Sequence, residues 1–189
     1  MVLTDTQVGE DDVFYCKSCD YSANSNHCTS ILNDEITTIR FEKEEIIDTP
    51  NVKTIKELSE FLGVNENNIL KSVLYIVDSK PVMVMIRGDK EVEETKLLNA
   101  VQGLEARPAT DIEIMDYTNS EAGFISCFGL EDKIKVLYDL SIRGMKNFVV
   151  GVNVKDKHKV GANFDREYDF VDVSLAKEGE KCPVCGKPL

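Results

Sequence analysis

Four cysteines form two Cys-x-x-Cys pairs near opposite ends of this 189-residue chain, Cys16/Cys19 and Cys182/Cys185. A two-residue spacer lets two thiolates from one turn reach the same metal ion, and Zn²⁺ favours four such ligands in a tetrahedron. The pattern therefore predicts one structural zinc site that brings together segments separated by 162 residues. The alternative is a pair of reduced knuckles that hold no metal.

A lysine and two glycine-bearing segments are the next candidates for chemistry. Lys71 opens a strand-like run that is apolar on both faces, so its side chain lies either at the mouth of a cavity or past the end of a sheet. Residues 123–129 carry a glycine at each end, which lets the backbone approach a ligand closely or turns a corner. Residues 147–153 place a short strand between two asparagines and include Gly151.

Three further polar residues are less specific. Asp139 ends an apolar strand, and His158 lies among lysines, where a single histidine identifies no reaction. Cys127 lies in an apolar stretch with no histidine placed beside it, which argues against a covalent nucleophile. The sequence contains no phosphate-binding loop, no dinucleotide fingerprint and no convincing Ser-His-Asp order.

Charge and composition limit the partners. A net charge of −12 argues against a general nucleic-acid coat, because phosphate binding requires concentrated Lys and Arg. Residues 131–161 nevertheless hold seven bases and four acids, enough for a modest basic patch. The chain has no signal peptide, no apolar run of membrane-spanning length and too few cysteines for a disulfide scaffold. We therefore expect a cytoplasmic protein with reduced thiols and no membrane partner.

Helix signals predict a compact region after Thr49. Capping boxes at Thr54–Glu57 and Thr110–Glu113 begin two helices, and Gly63 ends the first of them. A third helix is predicted over Val92–Val101.

Strand signals outnumber helix signals. Ile69–Val77 and Val82–Ile86 are predicted to form a hairpin. Further strands are expected at Val13–Cys16, Ile36–Phe41, Leu104–Arg107, near Phe124, and at Ile134–Tyr138, Phe148–Val150, Lys157–Val160 and Tyr168–Val171. The predicted fold class is α/β, with a mixed, largely antiparallel sheet, helices packed against it and a small cysteine-knuckle flank.

These motifs together resemble the editing insertion domain of bacterial prolyl-tRNA synthetase. The segments that carry the resemblance are Thr49-Pro50, Thr54-Ile55, Lys71–Leu74, Arg87–Asp89, Gly123–Gly129, Asp139, Asn147–Asn153, His158 and Asn163–Arg166. Residues 1–3, 15–24 and 182–186 are similar to the parts of the class II catalytic domain that flank the insertion. The resemblance implies the aminoacyl-tRNA deacylase fold, with a flank over 1–48, an editing domain over 49–173 and a second flank over 174–189.

The resemblance also implies a reaction, the hydrolysis of alanine wrongly esterified to proline tRNA, at a site that excludes proline by its size. The partners would be the 3′ acceptor end of proline tRNA and the remainder of the synthetase chain, and deacylation would need no cofactor. The implied catalytic residues are Lys71, Gly123 and Cys127. The implied substrate-binding residues are Thr49, Asp139, His158, Asn147 and Gly151.

One departure and two alternatives accompany this interpretation. Cys127 stands where the family usually has the proline of a Gly-x-x-x-Pro loop, so the loop either keeps its shape or loosens. The first alternative is a free-standing deacylase of the same fold, which the cysteine-bearing flanks disfavour. The second is a non-catalytic, zinc-stapled tRNA-binding module, which the joint presence of Lys71, Asp139 and His158 disfavours. The chain lacks class II arginine motifs, so we do not expect it to charge tRNA.

Overall fold

The computed structural model describes residues 13–29, 41 and 43–189, and these divide into two compact units. The smaller unit comprises residues 13–29 with 175–189, and the larger comprises residue 41 with 43–174. The strand predicted over Ile36–Phe41 lies outside the described residues except for Phe41. Within the described part of the chain, no helix has both the length and the apolar character that crossing a membrane requires.

Two short turns dominate the smaller unit. Strands β1 (Val13–Tyr15) and β2 (Ser22–Asn24) pair antiparallel, and the turn between them carries the first cysteine pair. A single antiparallel bridge joins Lys181 to Pro188, and it encloses the second pair. Each Cys-x-x-Cys motif therefore lies at the tip of a small antiparallel ribbon.

The larger unit is built on a sheet with eight strands among the described residues. In chain order these are β3 (Glu45–Asp48), β4 (Ile69–Val77), β5 (Lys80–Arg87), β6 (Ala106–Pro108), β7 (Lys135–Asp139), β8 (Phe148–Gly151), β9 (Lys157–Ala162) and β10 (Phe170–Val171). The order across the sheet is β10-β7-β5-β4-β8-β9-β3, and β6 pairs with the C-terminal half of β4.

The sheet is mixed and largely antiparallel, which confirms the predicted fold class. Pairs β4/β5, β4/β6, β8/β9 and β3/β9 are antiparallel, whereas β5/β7, β7/β10 and β4/β8 are parallel. Strand β3, which the sequence analysis placed in the first flank, pairs with β9 and so belongs to the larger unit.

Three helices pack against the sheet, α1 (Ile55–Leu62), α2 (Glu94–Val101) and α3 (Asp111–Thr118). Both predicted capping boxes are present, because Thr54 and Thr110 each accept a hydrogen bond from the backbone of the glutamate three residues on. Gly63 ends α1 in the left-handed conformation, as its position predicts. Helix α2 begins two residues later than predicted, since Val92 instead bridges to Ser174.

The strand predicted near Phe124 is wrong. Residues around it form turns, although Phe124 is completely buried. Phe124 is apolar because it is buried in the core, and not because it pairs in a strand. The centroid of its ring lies 5.6 Å from the centroid of the His158 imidazole. This buried loop forms part of the candidate site.

Candidate functional site

A cavity of about 270 Å³ opens in the larger unit, where the start of β4 meets β8, β9 and the loop that precedes Phe124. Lys71, Gly123, Gly151 and His158 all line it. These four residues were predicted from sequence, and they come from four separate segments of the chain. Apolar side chains supply much of the remaining wall, among them Ile55, Leu58 and Ile69.

Two glycines set the shape of this cavity. A Cβ on Gly151 would lie 2.5 Å from the carbonyl oxygen of Ile125 and closer still to that of Phe124. Gly123 has a φ of +93°, and a Cβ there would lie 2.6 Å from the carbonyl oxygen of Lys53. Each glycine is therefore required because another backbone segment packs directly against it.

His158 is fixed by hydrogen bonds at both ring nitrogens. Its Nε2 lies 3.2 Å from the carbonyl oxygen of Gly123, which only accepts, so Nε2 carries the hydrogen. Its Nδ1 lies 2.7 Å from Oγ1 of Thr49, so the threonine hydroxyl donates to Nδ1. Burial lowers the pKa of His158, and the bond to Gly123 offsets this only in part. The imidazole is therefore neutral near pH 7, and it positions the backbone of Gly123.

Lys71 lies in the cavity wall with its ammonium already paired. Its Nζ donates to the carbonyl oxygen of Lys90 and lies 3.0 Å from Oε1 of Glu91. The side chain of Lys71 is 16% exposed, whereas that of Glu91 is 67% exposed. Of the two predicted placements for Lys71, a cavity mouth or the end of the sheet, the structure shows the cavity mouth. The carboxylate paired with Lys71 is exposed, so an anionic ligand could take its place.

The loop that begins at Gly123 contributes backbone to the wall of this cavity. Phe124 N–H bonds to the carbonyl of Glu121, and Ser126 N–H bonds to Oδ1 of Asn153 at 2.7 Å. Among the described residues, the N–H groups of Gly123 and Ile125 have no hydrogen-bond acceptor, and both residues line the cavity. Within the described residues, these are the two loop amides at the cavity wall without a protein acceptor.

Besides the apolar wall, sequence reasoning missed three polar residues of the lining, Lys53, Thr54 and Ser72. Lys53 reaches the rim, where its Nζ lies 2.9 Å from Glu121, and Lys155 approaches the same carboxylate at 2.7 Å. Thr54 was identified only as a helix cap. The hydroxyl of Ser72 is buried and has no hydrogen-bond partner within the described residues. Strand alternation places it on the face opposite Lys71, so no signal in the sequence would have found it.

Asp139 and Asn147 lie outside the cavity lining. Asp139 is completely buried, and its carboxylate accepts backbone hydrogen bonds from Ser141 at 2.7 Å and Val173 at 2.9 Å. Asn147 exchanges hydrogen bonds with Asn163, across the open ends of β8 and β9. These hydrogen bonds join neighbouring segments of the larger unit. The predicted roles of Asp139 and Asn147 in substrate binding stay predictions.

Cys127 is also buried outside the lining. Its Sγ lies 3.7 Å from the hydroxyl of Tyr138, and burial raises the pKa of Cys127 to about 11. The group is therefore a neutral thiol near pH 7, which is a poor nucleophile.

The four paired cysteines converge in the smaller unit. All four Sγ atoms lie within 4.8 Å of one another, and the Cys16–Cys185 and Cys19–Cys182 sulfur distances are 3.5 and 3.6 Å. These distances are too long for a disulfide, which needs about 2.05 Å. The donor set is one that could hold a metal ion.

Comparison with known proteins gives a consistent picture. Residues 49–167 match the family model described as the aminoacyl-tRNA editing domain. The chain is 43% identical over 188 residues to the proline–tRNA ligase of Aquifex aeolicus, covering 97% of this chain and 33% of that protein. It is 37% identical over 191 residues to the proline–tRNA ligase of Thermoanaerobacter sp., with the same coverage of 97% and 33%. The chain thus spans about one third of the length of these relatives.

A solved structure of a candidate trans-editing enzyme for prolyl tRNA synthetase has the same fold. It superposes with a TM-score of 0.58 at 17% identity, and the match covers 70% of this chain and 87% of that one. The family model spans well over half of this chain. The protein therefore belongs to the aminoacyl-tRNA editing domain family.

Proposed function

We propose that this chain hydrolyses the ester that joins alanine to proline tRNA, as the editing part of a proline–tRNA ligase. The observation that carries the proposal is the convergence of Lys71, Gly123, Gly151 and His158 on one cavity. Similarity to the ligases over 97% of the chain, cysteine-bearing flanks included, supports editing within a ligase over free-standing action.

Size explains why such a reaction is needed. A synthetic pocket shaped for proline discriminates against a smaller amino acid by only about 1–3 kcal/mol, because the missing methylenes contribute little. A second, smaller site can then bind the misacylated tRNA whose amino acid fits it and hydrolyse the ester. The cavity of about 270 Å³, walled by Ile55, Leu58 and Ile69, supplies an apolar surface for a methyl side chain.

Lys71 holds the terminal adenosine in this mechanism. A phosphate or ribose oxygen of the acceptor end replaces Glu91 as the partner of its ammonium, which brings the ester to the cavity mouth. Because Glu91 is largely exposed, releasing it to water costs little.

The loop amides stabilise the transition state. The N–H groups of Gly123 and Ile125 donate to the carbonyl oxygen of the ester as it becomes negatively charged. His158 holds Gly123 in place through the carbonyl bond, and Thr49 holds His158. Both are positioning residues.

Water is the nucleophile. It adds to the ester carbonyl carbon, the bond to the ribose oxygen breaks, and that oxygen takes up a proton, so that alanine and uncharged tRNA are released. The neighbouring hydroxyl of the terminal ribose assists the proton transfer, because His158 has both nitrogens engaged and Cys127 is a buried thiol.

The test is to incubate the protein with proline tRNA charged separately with alanine, cysteine and proline, and to follow loss of each ester. We expect alanyl ester to be hydrolysed and prolyl ester to be spared. Equal rates on these two esters would contradict size selection. Binding of alanyl-tRNA without turnover, at high protein concentration, would support the tRNA-binding module instead.

A further inference from the structure

We propose that Cys16, Cys19, Cys182 and Cys185 bind one Zn²⁺ in a closed structural site that fastens together the two segments of the smaller unit. The proposal is independent of the proposed deacylation, because all four ligands lie outside the unit that contains the cavity. It rests on the backbone of the two knuckles, on the sulfur geometry and on the neighbouring charges.

The two knuckles share one kind of backbone hydrogen bond. In the first, Cys16 N–H bonds to the carbonyl of Tyr21, five residues on, at 2.9 Å. In the second, Cys182 N–H bonds to the carbonyl of Lys187, again five residues on, at 2.7 Å. Both segments are thus closed by a hydrogen bond from the first cysteine to the residue five positions on, and a two-residue spacer within such a turn lets two thiolates reach one ion.

One thiol in each knuckle accepts a hydrogen bond from the backbone amide two residues further along. Ser18 N–H donates to Sγ of Cys16, and Val184 N–H donates to Sγ of Cys182. The N···Sγ distance is 3.4 Å at Cys16 and at Cys182. These two amide donors, one in each knuckle, orient the sulfurs that accept them, as an outer shell orients metal ligands.

The sulfur separations fit a tetrahedron of thiolates. With Zn–S bonds of about 2.3 Å, neighbouring sulfurs in a tetrahedron lie about 3.8 Å apart. Two sulfur separations that join one knuckle to the other are 3.5 and 3.6 Å, and all four sulfurs lie within 4.8 Å of one another. These values bracket the tetrahedral distance.

The charges and the burial also fit. Four thiolates and Zn²⁺ carry a net charge of −2. The charged residues within two positions of a ligand are three lysines and two acids, which leaves a net local charge of +1: Lys17, Lys181, Lys187, Asp20 and Glu180. Cys16 and Cys182 are buried, while Cys185 is exposed. Because the shell has no open position for water, this ion would not take part in ester hydrolysis.

The experiment measures metal in the whole chain, purified under reducing conditions without chelator. Elemental analysis should find one zinc per chain in the native protein and near-complete loss in the Cys182→Ser, Cys185→Ser variant. Cys28→Ser is the matched control, since Cys28 is a buried thiol of the same unit that lies outside the cluster, and it should keep the metal. Replacement by Co²⁺ should give the intense sulfur-to-metal absorption of a tetrahedral thiolate site.

A second measurement uses only the native protein, so it remains informative if the Cys182→Ser, Cys185→Ser variant does not fold. In the native protein, a thiol reagent should label four more cysteines after strong chelation than before it. Native protein without metal, or with all its thiols equally reactive before chelation, would overturn the proposal in favour of metal-free knuckles. Zinc retained in the double variant would place the ion elsewhere, and a red iron-containing protein would overturn the assignment to zinc.

Discussion

Replacing Lys71 with alanine tests the central electrostatic contact of the proposed site. The ammonium lies at the cavity mouth, bonded to the carbonyl of Lys90 and paired with Glu91 at 3.0 Å. A charge-assisted hydrogen bond to a phosphate or ribose oxygen contributes about 1.5–3 kcal/mol. The exposed pair with Glu91 that must first break contributes at most about 1 kcal/mol.

The difference leaves a net loss of about 0.5–3 kcal/mol in Lys71→Ala, or roughly 2- to 150-fold in kcat/KM for alanyl-tRNA hydrolysis. Removing the charge of Glu91, which competes with the substrate for Lys71, has the opposite effect on kcat/KM. Glu91→Gln should leave kcat/KM unchanged or raise it by up to about fivefold, corresponding to the same 1 kcal/mol. Comparing the two variants therefore separates the contribution of the bond from Lys71 to the substrate from that of the ion pair between Lys71 and Glu91.

The assay follows loss of radiolabelled alanine from proline tRNA under single-turnover conditions, with thermal unfolding measured in parallel. Lys80→Ala is the control, because Lys80 is an exposed lysine at the other end of the β4–β5 hairpin. Unchanged kinetics in Lys71→Ala would refute the reasoning and make this lysine a structural residue of the β4 edge. An equal loss in Lys80→Ala would show that the effect is one of general charge.

Three further predictions concern the architecture behind Lys71. Thr49→Val should destabilise the fold by about 1–3 kcal/mol in urea unfolding, because it leaves the buried Nδ1 of His158 without its 2.7 Å donor, and Thr49→Ser should restore most of the loss. Because burial lowers the pKa of His158, its contribution to stability is fully present above its unfolded value of about 6.5 and falls as the pH drops below it. Unfolding free energies of native protein and of His158→Gln should therefore converge on acidification, and parallel curves would contradict this. Gly151→Ala should lower hydrolysis of alanyl-tRNA at least tenfold, because its Cβ would force the carbonyls of Phe124 and Ile125 away from β8; activity equal to native would show that the loop adapts.

Local signals in the sequence predicted local structure well. The capping boxes at Thr54 and Thr110, the helix end at Gly63 and the β4–β5 hairpin each depend on residues a few positions apart, and all are present. The prediction of a strand near Phe124 was wrong because an apolar run indicates burial, and a buried loop can be as apolar as a strand.

The site was only partly accessible to the same reasoning. Lys71 stood out because a lysine on an apolar strand needs an explanation, and Gly123 and Gly151 stood out because glycine permits close backbone contact. Which segments meet depends on sheet order, and the parallel contact of β4 with β8 gives no local signal. Lys53 and Ser72 were therefore missed.

The hydrogen bonds of His158 bear on how such a site can work. A histidine in the wall of a hydrolytic cavity suggests a general base, yet a base needs a free lone pair that faces the water. Here the lone pair on Nδ1 accepts from Thr49, and the hydrogen on Nε2 is donated to Gly123, so neither nitrogen is available. What the histidine provides is a fixed position for Gly123 and, with it, for the two loop amides that lack acceptors within the described residues. Rate enhancement at this cavity would then come from oriented donors and from a ribose hydroxyl that the substrate brings with it. An acid–base side chain of the protein is not required for that chemistry.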